Sequence, residues 1–87
     1  MIVSFGNAGT EDIFYGRSTR AARRVCPSPA WPVAARKLDQ LDSADDLRDL
    51  RHPPGNRLER LRINDQYRIC FTWTEAGPES VEIVDYH

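Results

Sequence analysis

The spacing of apolar residues changes period along this chain, and the changes mark out a helical part followed by a sheet-forming part. Ile2 to Phe5 has the composition and length of a short opening strand. Thr10 is placed to cap a helix running to Phe14 or Tyr15, with Glu11 and Asp12 at the positive end of its dipole. Residues 17–29 mix arginines, serines and two prolines, a composition for loop or broken helix. Trp31, Ala34, Ala35, Leu38 and Leu41 then fall on one face at helical spacing, and Pro32 sits in the first turn, where its missing N–H costs little. This stripe reads as core. A further short turn of helix is expected over Asp45 to Leu50, stopped by Pro53, Pro54 and Gly55.

After Gly55 the period drops to two. Tyr67, Ile69, Phe71 and Trp73 alternate with Arg68, Cys70 and Thr72, the pattern of a half-buried strand. Thr74 to Glu79, with Gly77 and Pro78, reads as a turn, and Ser80 to Tyr86 as a second strand with Val81 and Ile83 on one face. Leu61 and Ile63 share the parity of Tyr67 but Leu58 does not, so a bulge or bend is expected near Glu59 and Arg60. The predicted fold class is α+β: a small antiparallel sheet with two or three helices packed on one face. The 87 residues read as a single domain spanning 1–87, without internal repeats and with one modest core.

Charge changes the picture more than composition does. The net charge is −1, yet all basic residues but Lys37 are arginines, whose planar, permanently charged forks suit phosphate. Arg17, Arg20, Arg23, Arg24 and Arg36 form one group; Arg51, Arg57, Arg60, Arg62 and Arg68 form another. Between them lies the acidic stretch Asp39, Asp42, Asp45, Asp46 and Asp49. Two readings stand on charge alone: solvated faces, or a phosphate-binding surface beside an acidic helix end. Cys26 and Cys70 are too few for a disulfide scaffold, and Cys70 reads as a buried free thiol. The opening residues are too short an apolar run for a signal peptide or membrane span, so a cytoplasmic protein is expected, with no membrane association.

Two constellations could carry chemistry. The chain ends Asp85-Tyr86-His87 at the edge of a strand. Histidine moves protons near neutral pH, and tyrosine can donate a hydrogen bond or stack on a base. Against this stands a frayed tail without function. In the other, Arg60, Arg62 and Arg68 share the parity opposite Tyr67 and Ile69, beside Asn64 and Asp65. Such a row can hold a phosphate backbone and stabilise a pentavalent phosphoryl transition state, or it can simply shield the sheet from water. His52 and His87 lack a paired ligand spacing, so no metal is expected.

Several stretches together resemble the HigB family, the plasmid maintenance killer toxins of type II toxin–antitoxin pairs within the RelE/ParE superfamily. They are the start Met1 to Phe5, Ala35 to Leu41, Leu47 to Leu50, Pro53 to Glu59, Arg62 to Phe71 and the ending Val81 to His87. Each is weak alone; their order and spacing make the resemblance specific, and it runs over nearly the whole chain. It implies a RelE-like fold and a ribosome-dependent endoribonuclease (an mRNA interferase) that needs no metal or cofactor. The nucleophile would be the 2′-hydroxyl beside the scissile phosphate. Asp85, Tyr86 and His87 match the family's terminal triplet, and Asn64 and Arg68 its Asn-x-x-x-Arg strand element. The roles implied are proton transfer by His87, phosphate charge by Arg68, positioning or stacking by Tyr86, and orientation of His87 by Asp85. Arg57, Arg60, Arg62 and, as a looser match, His52 are candidates for holding RNA. Implied partners are the ribosome, its mRNA and a HigA-like helix-turn-helix antitoxin.

One departure stands out. Family members usually place a basic turn, often Lys-Gly-Asp-Arg, and a strand before the Arg-Ile-Asn motif; here Leu61 is followed at once by Arg62-Ile63-Asn64. A hairpin-sized segment is thus expected to be absent, leaving a trimmed fold, a strand supplied by a partner, or a weakened toxin. Arg60 and Arg62 are candidates for replacing the lost positive charge. The alternative function is a toxin-like binding module that docks on an antitoxin or a ribosome without cutting; a small interaction domain is the third reading, and an adjacent antitoxin gene would count against it.

Overall fold

The structure, a computed structural model, describes residues 1–46 and 58–86. The expected helical turn from Leu47 to Leu50, the Pro53-Pro54-Gly55 stop, His52, Arg57 and His87 lie outside the described residues.

Helix α1 spans Ala8–Phe14 and begins at Asn7, not Thr10. The Asn7 side chain accepts from the Thr10 backbone N–H at 2.9 Å, occupying one of the donors a helix start leaves open. Thr10 instead sits in the first turn, fully buried, and its hydroxyl accepts from the Ile83 N–H at 2.9 Å. The cap expected at Thr10 is therefore a helix-to-sheet tie. Helix α2 (Arg20–Val25) is capped by Thr19, whose hydroxyl accepts from the Ala22 N–H at 3.0 Å and donates to Asp12 at 2.7 Å. That hydrogen bond holds the Asp12 carboxyl below the usual carboxylate range, with Arg17 adding to the effect against a smaller opposing contribution from burial. A 3₁₀ turn at Ser28–Ala30 leads into α3 (Trp31–Ser43), so residues 17–29 form a broken helix. The Trp31 indole N–H donates to the Cys26 carbonyl at 3.0 Å and ties the two pieces together.

Where α1 meets α2, Gly9 lies so near the Ala21 carbonyl oxygen that a Cβ there has no room. We expect Gly9→Ala to destabilise the fold by about 1–3 kcal/mol despite alanine's better helix propensity, because overpacking outweighs propensity. Urea denaturation at neutral pH checks this.

The sheet has the order β1-β2-β3, antiparallel throughout, with β1 at Leu58–Arg62, β2 at Tyr67–Thr74 and β3 at Gly77–Asp85. Among the described residues, three α-helices and this sheet make the expected α+β architecture. The opening residues do not form a regular strand. They run along the outer side of β3 with one parallel bridge, Phe5↔Val81, supported by Val3 N–H to the Pro78 carbonyl at 2.7 Å and Gly6 N–H to the Val81 carbonyl at 2.8 Å. The expected turn from Thr74 to Glu79 is tighter than its composition implies. Thr74 pairs directly with Gly77, and the Thr74 hydroxyl donates to the Gly77 carbonyl and accepts from the Ala76 N–H. Pro78 has no N–H to donate to a ladder, and its carbonyl accepts from the Val3 N–H of the opening segment.

The bulge expected near Glu59 and Arg60 is not there. Strand β1 pairs without a break from Leu58↔Thr72 to Arg62↔Arg68. Glu59 turns inward opposite Phe71 and is buried, so the parity slip at Leu58 is absorbed without a kink at Glu59 and Arg60. The irregularity falls between β2 and β3, where the register passes from Cys70↔Glu82 to Thr72↔Glu79 and Ser80 takes a φ of 54°. The Ser80 N–H bonds to the Ser4 hydroxyl, which helps hold this left-handed residue in place. With the bulge in place, Val81 and Ile83 face inward with Ile69 and Phe71. They pack against Ile13, Ala22, Ala34, Leu38 and Leu41 of the helices. The other face of the sheet is left for chemistry.

Candidate functional site

The site is built from the turn between β1 and β2. Asn64 Oδ1 accepts from the backbone N–H groups of Gln66 at 2.9 Å and Tyr67 at 2.8 Å, the local bond by which asparagine stabilises a tight turn. Ile63 N–H closes the hairpin on the Tyr67 carbonyl at 3.0 Å. The turn reaches across to the end of β3 through Gln66. Its side-chain amide donates to Asp85 Oδ2 at 3.1 Å, and its carbonyl accepts from the Tyr86 N–H at 2.6 Å. Asn64, Asp85 and Tyr86 are thus brought to one end of the sheet, and Gln66, which sequence reasoning missed, connects them. Asn64-Asp65 between two strands is a turn signal, but nothing local in the sequence marks Gln66 as a cross-strand partner.

The register sets which side chains share the open face. Cross-strand partners in an antiparallel pair point the same way, so Arg60↔Cys70 and Arg62↔Arg68 place these four opposite Leu61 and Ile69. Arg68 pairs with Val84 on β3, and Tyr86 follows at the same parity. The structure brings Arg60, Arg68 and Tyr86 together: the Arg60 guanidinium lies 5.2 Å from the centroid of the Tyr86 ring and that of Arg68 lies 5.7 Å from it. Arg68 also donates to the Tyr67 carbonyl at 3.0 Å and to the Asn64 carbonyl, which fixes its direction. Arg62 differs, since its guanidinium is paired with Asp65 in a fully solvated setting. Among the described residues no carboxylate pairs with Arg60 or Arg68.

Two protonatable groups border this face or end. The Cys70 thiol is pushed up by burial, and the Arg60 guanidinium beside it works against that shift. Burial also raises the Tyr67 hydroxyl, with the Asp85 charge adding to it. Both therefore stay protonated at neutral pH. Cys26 and Cys70 are free, buried thiols. Among the described residues no cluster of three or more histidine, cysteine or acidic side chains could hold a metal, and no helix is long and apolar enough to cross a membrane.

Helices on one side of a small antiparallel sheet, with arginines and Tyr86 gathered on the other, fit the class of RelE-like toxins. The chain belongs to the HigB-like family, the RelE-like toxins of type II toxin–antitoxin system HigB, whose sequence model matches residues 4–87. It is 42% identical over 63 residues to Toxin HigB-1 of Vibrio cholerae, an alignment covering 61% of this chain and 66% of that protein. It is 39% identical over 57 residues to an uncharacterized protein of Haemophilus influenzae, covering 54% and 56% respectively. The chain therefore spans less than two thirds of the length of either relative.

Proposed function

We propose that this chain is the toxin of a type II pair and cleaves mRNA on the ribosome by 2′-hydroxyl attack on the adjacent phosphate. One observation carries the reading: two guanidiniums, without carboxylate partners among the described residues, meet at Tyr86, the residue next to His87. Phosphoryl transfer within RNA adds negative charge to the phosphate as it becomes pentavalent, and fixed cations at that point lower the barrier. Arg68, held by two carbonyls, is the residue for that role. His87 supplies the proton transfers, and Asp85 retains an oxygen, Oδ1, that can orient it. Asn64 contributes by shaping the turn that aims Arg68. Arg57, Arg60, Arg62 and His52 hold the RNA strand. Localisation in the cytoplasm, with silencing by a HigA-like antitoxin, follows from the same reading.

The second reading, a docking module that no longer cuts, draws on the expected loss of a basic hairpin between Leu61 and Arg62. The alignment with the Vibrio toxin extends over 63 residues but takes up only 61% of this 87-residue chain, fewer residues than the aligned length. That difference supports a deletion in this chain. Continuous β1–β2 pairing down to Leu58 supports a shortened but intact sheet.

Induced expression separates the two readings. Growth arrest that disappears on deletion of His87, and is relieved by co-expressed antitoxin, is the expected outcome. Arrest that persists without His87 would contradict the catalytic assignment, and no arrest at all would favour the docking module.

A further inference from the structure

Tyr86 could serve this site in two ways: by stacking on a base, or by acting on the arginines around it. We propose that Tyr86 is a positioning residue whose ring gathers the Arg60 and Arg68 guanidiniums into a two-pronged grip on a single phosphate. This rests on the reading of the open sheet face as the surface that meets RNA.

Five observations carry it. Both guanidiniums lie over the same ring, at 5.2 and 5.7 Å from its centroid. The third arginine of the row, Arg62, is instead neutralised by Asp65, so the row is divided into one paired member and two that share the ring. Of these two, Arg68 is also anchored by the Tyr67 and Asn64 carbonyls, while Arg60 stands beside Cys70, its cross-strand partner. Among the described residues no acid forms an ion pair with either, Glu82 opposite Cys70 included. Finally, the ring's own backbone is pinned, because Tyr86 N–H donates to the Gln66 carbonyl at 2.6 Å and Gln66 also holds Asp85. Tyr86 is half exposed and yet fixed in place.

A guanidinium resting on a π face keeps its N–H edge free, and that edge matches phosphate oxygens. Two cations on one ring repel each other; the negative face of the ring offsets that repulsion and keeps them within reach of one anion. Both guanidinium contacts are with the aromatic ring of Tyr86. The ring, and not the hydroxyl, is therefore the working part of the side chain. Arg60 enters the site by this route even though it lies on β1, two strands away from Tyr86.

The test uses the whole chain and inorganic phosphate as the probe, so it needs neither ribosome nor cleavage. By NMR, the guanidinium Hε protons of Arg60 and Arg68 are expected upfield of the other arginines, from the ring current, in the unmodified protein and in Tyr86→Phe. Both should return to ordinary positions in Tyr86→Leu. Phosphate titration should move the same two resonances. Its affinity should fall roughly two- to fivefold for each guanidinium released from the ring in Tyr86→Leu and be retained in Tyr86→Phe. In an Arg60→Ala/Arg68→Ala background, Tyr86→Leu should have no further effect. Unshifted Hε protons, unchanged phosphate affinity in Tyr86→Leu, or an equal fall in affinity in the double-alanine background would each overturn the grip. A chain that shows the grip but leaves ribosome-bound mRNA whole keeps this inference and sinks the nuclease reading alone.

Discussion

Arg68→Ala is expected to slow cleavage of ribosome-bound mRNA roughly 10²- to 10³-fold while the protein stays folded. Arg68 lies on the open face of β2, away from the packed core, so its loss leaves no cavity among the buried residues. Its guanidinium is held in place before RNA arrives by the Tyr67 and Asn64 carbonyls and by the Tyr86 ring. A preset cation needs little reorganisation as phosphate charge develops, and this makes its removal costly. Arg62→Ala is the contrast. Arg62 is tied to Asp65 at an exposed turn, and a pair of that kind contributes about 0–1 kcal/mol, so the loss should be at most roughly fivefold. Single-turnover cleavage on programmed ribosomes, with circular dichroism to verify folding, distinguishes the two. Equal losses would show that the arginines act only as a diffuse charge.

The largest effect on stability is expected at Phe71. It is fully buried at the centre of the sheet, in contact with the core cluster formed by Leu38, Leu41, Ile69 and Val81. Truncating a buried phenylalanine to alanine costs about 3–5 kcal/mol from lost transfer free energy and the cavity left behind. A chain of this size has roughly 5–10 kcal/mol in total, so Phe71→Ala removes a large share of it. The site would suffer indirectly, because Phe71 faces the helices while its neighbours Cys70 and Thr72 face the other way. Thermal unfolding monitored by circular dichroism should show a pronounced fall in Tm. A change confined to a degree or two would mean that the helices and sheet are not packed as described.

What the sequence disclosed followed its periodicities. The α3 stripe and the alternation from Tyr67 to Trp73 each repeat over several residues and bury one face, so pattern and packing agree. The shared parity of Arg60, Arg62 and Arg68 likewise passed directly into the open face, because the β1–β2 register holds without a break. Features decided by one contact between distant segments were illegible. Thr10 has a good capping side chain, but Asn7 takes the cap because the Thr10 hydroxyl is claimed by Ile83, far along the chain. No bulge forms at Glu59 because that acid turns inward on β1, and the bulge at Ser80, which keeps Val81 and Ile83 inside, had no signal in the parity of β1. Gln66 has no local signature, since its two bonds to the β3 end exist only once the hairpin is formed. Parity grouped the arginines but could not foresee that Asp65 would take Arg62 while Tyr86 took the other two.

The proposed function rests on RNA cleavage that requires His87. Purified protein added to ribosomes programmed with a defined mRNA, followed by mapping of the mRNA 5′ ends, tests it most directly. New ends within the ribosome-bound codon, abolished on deletion of His87, are the predicted result. Intact mRNA at saturating protein, or ends that persist without His87, would contradict it.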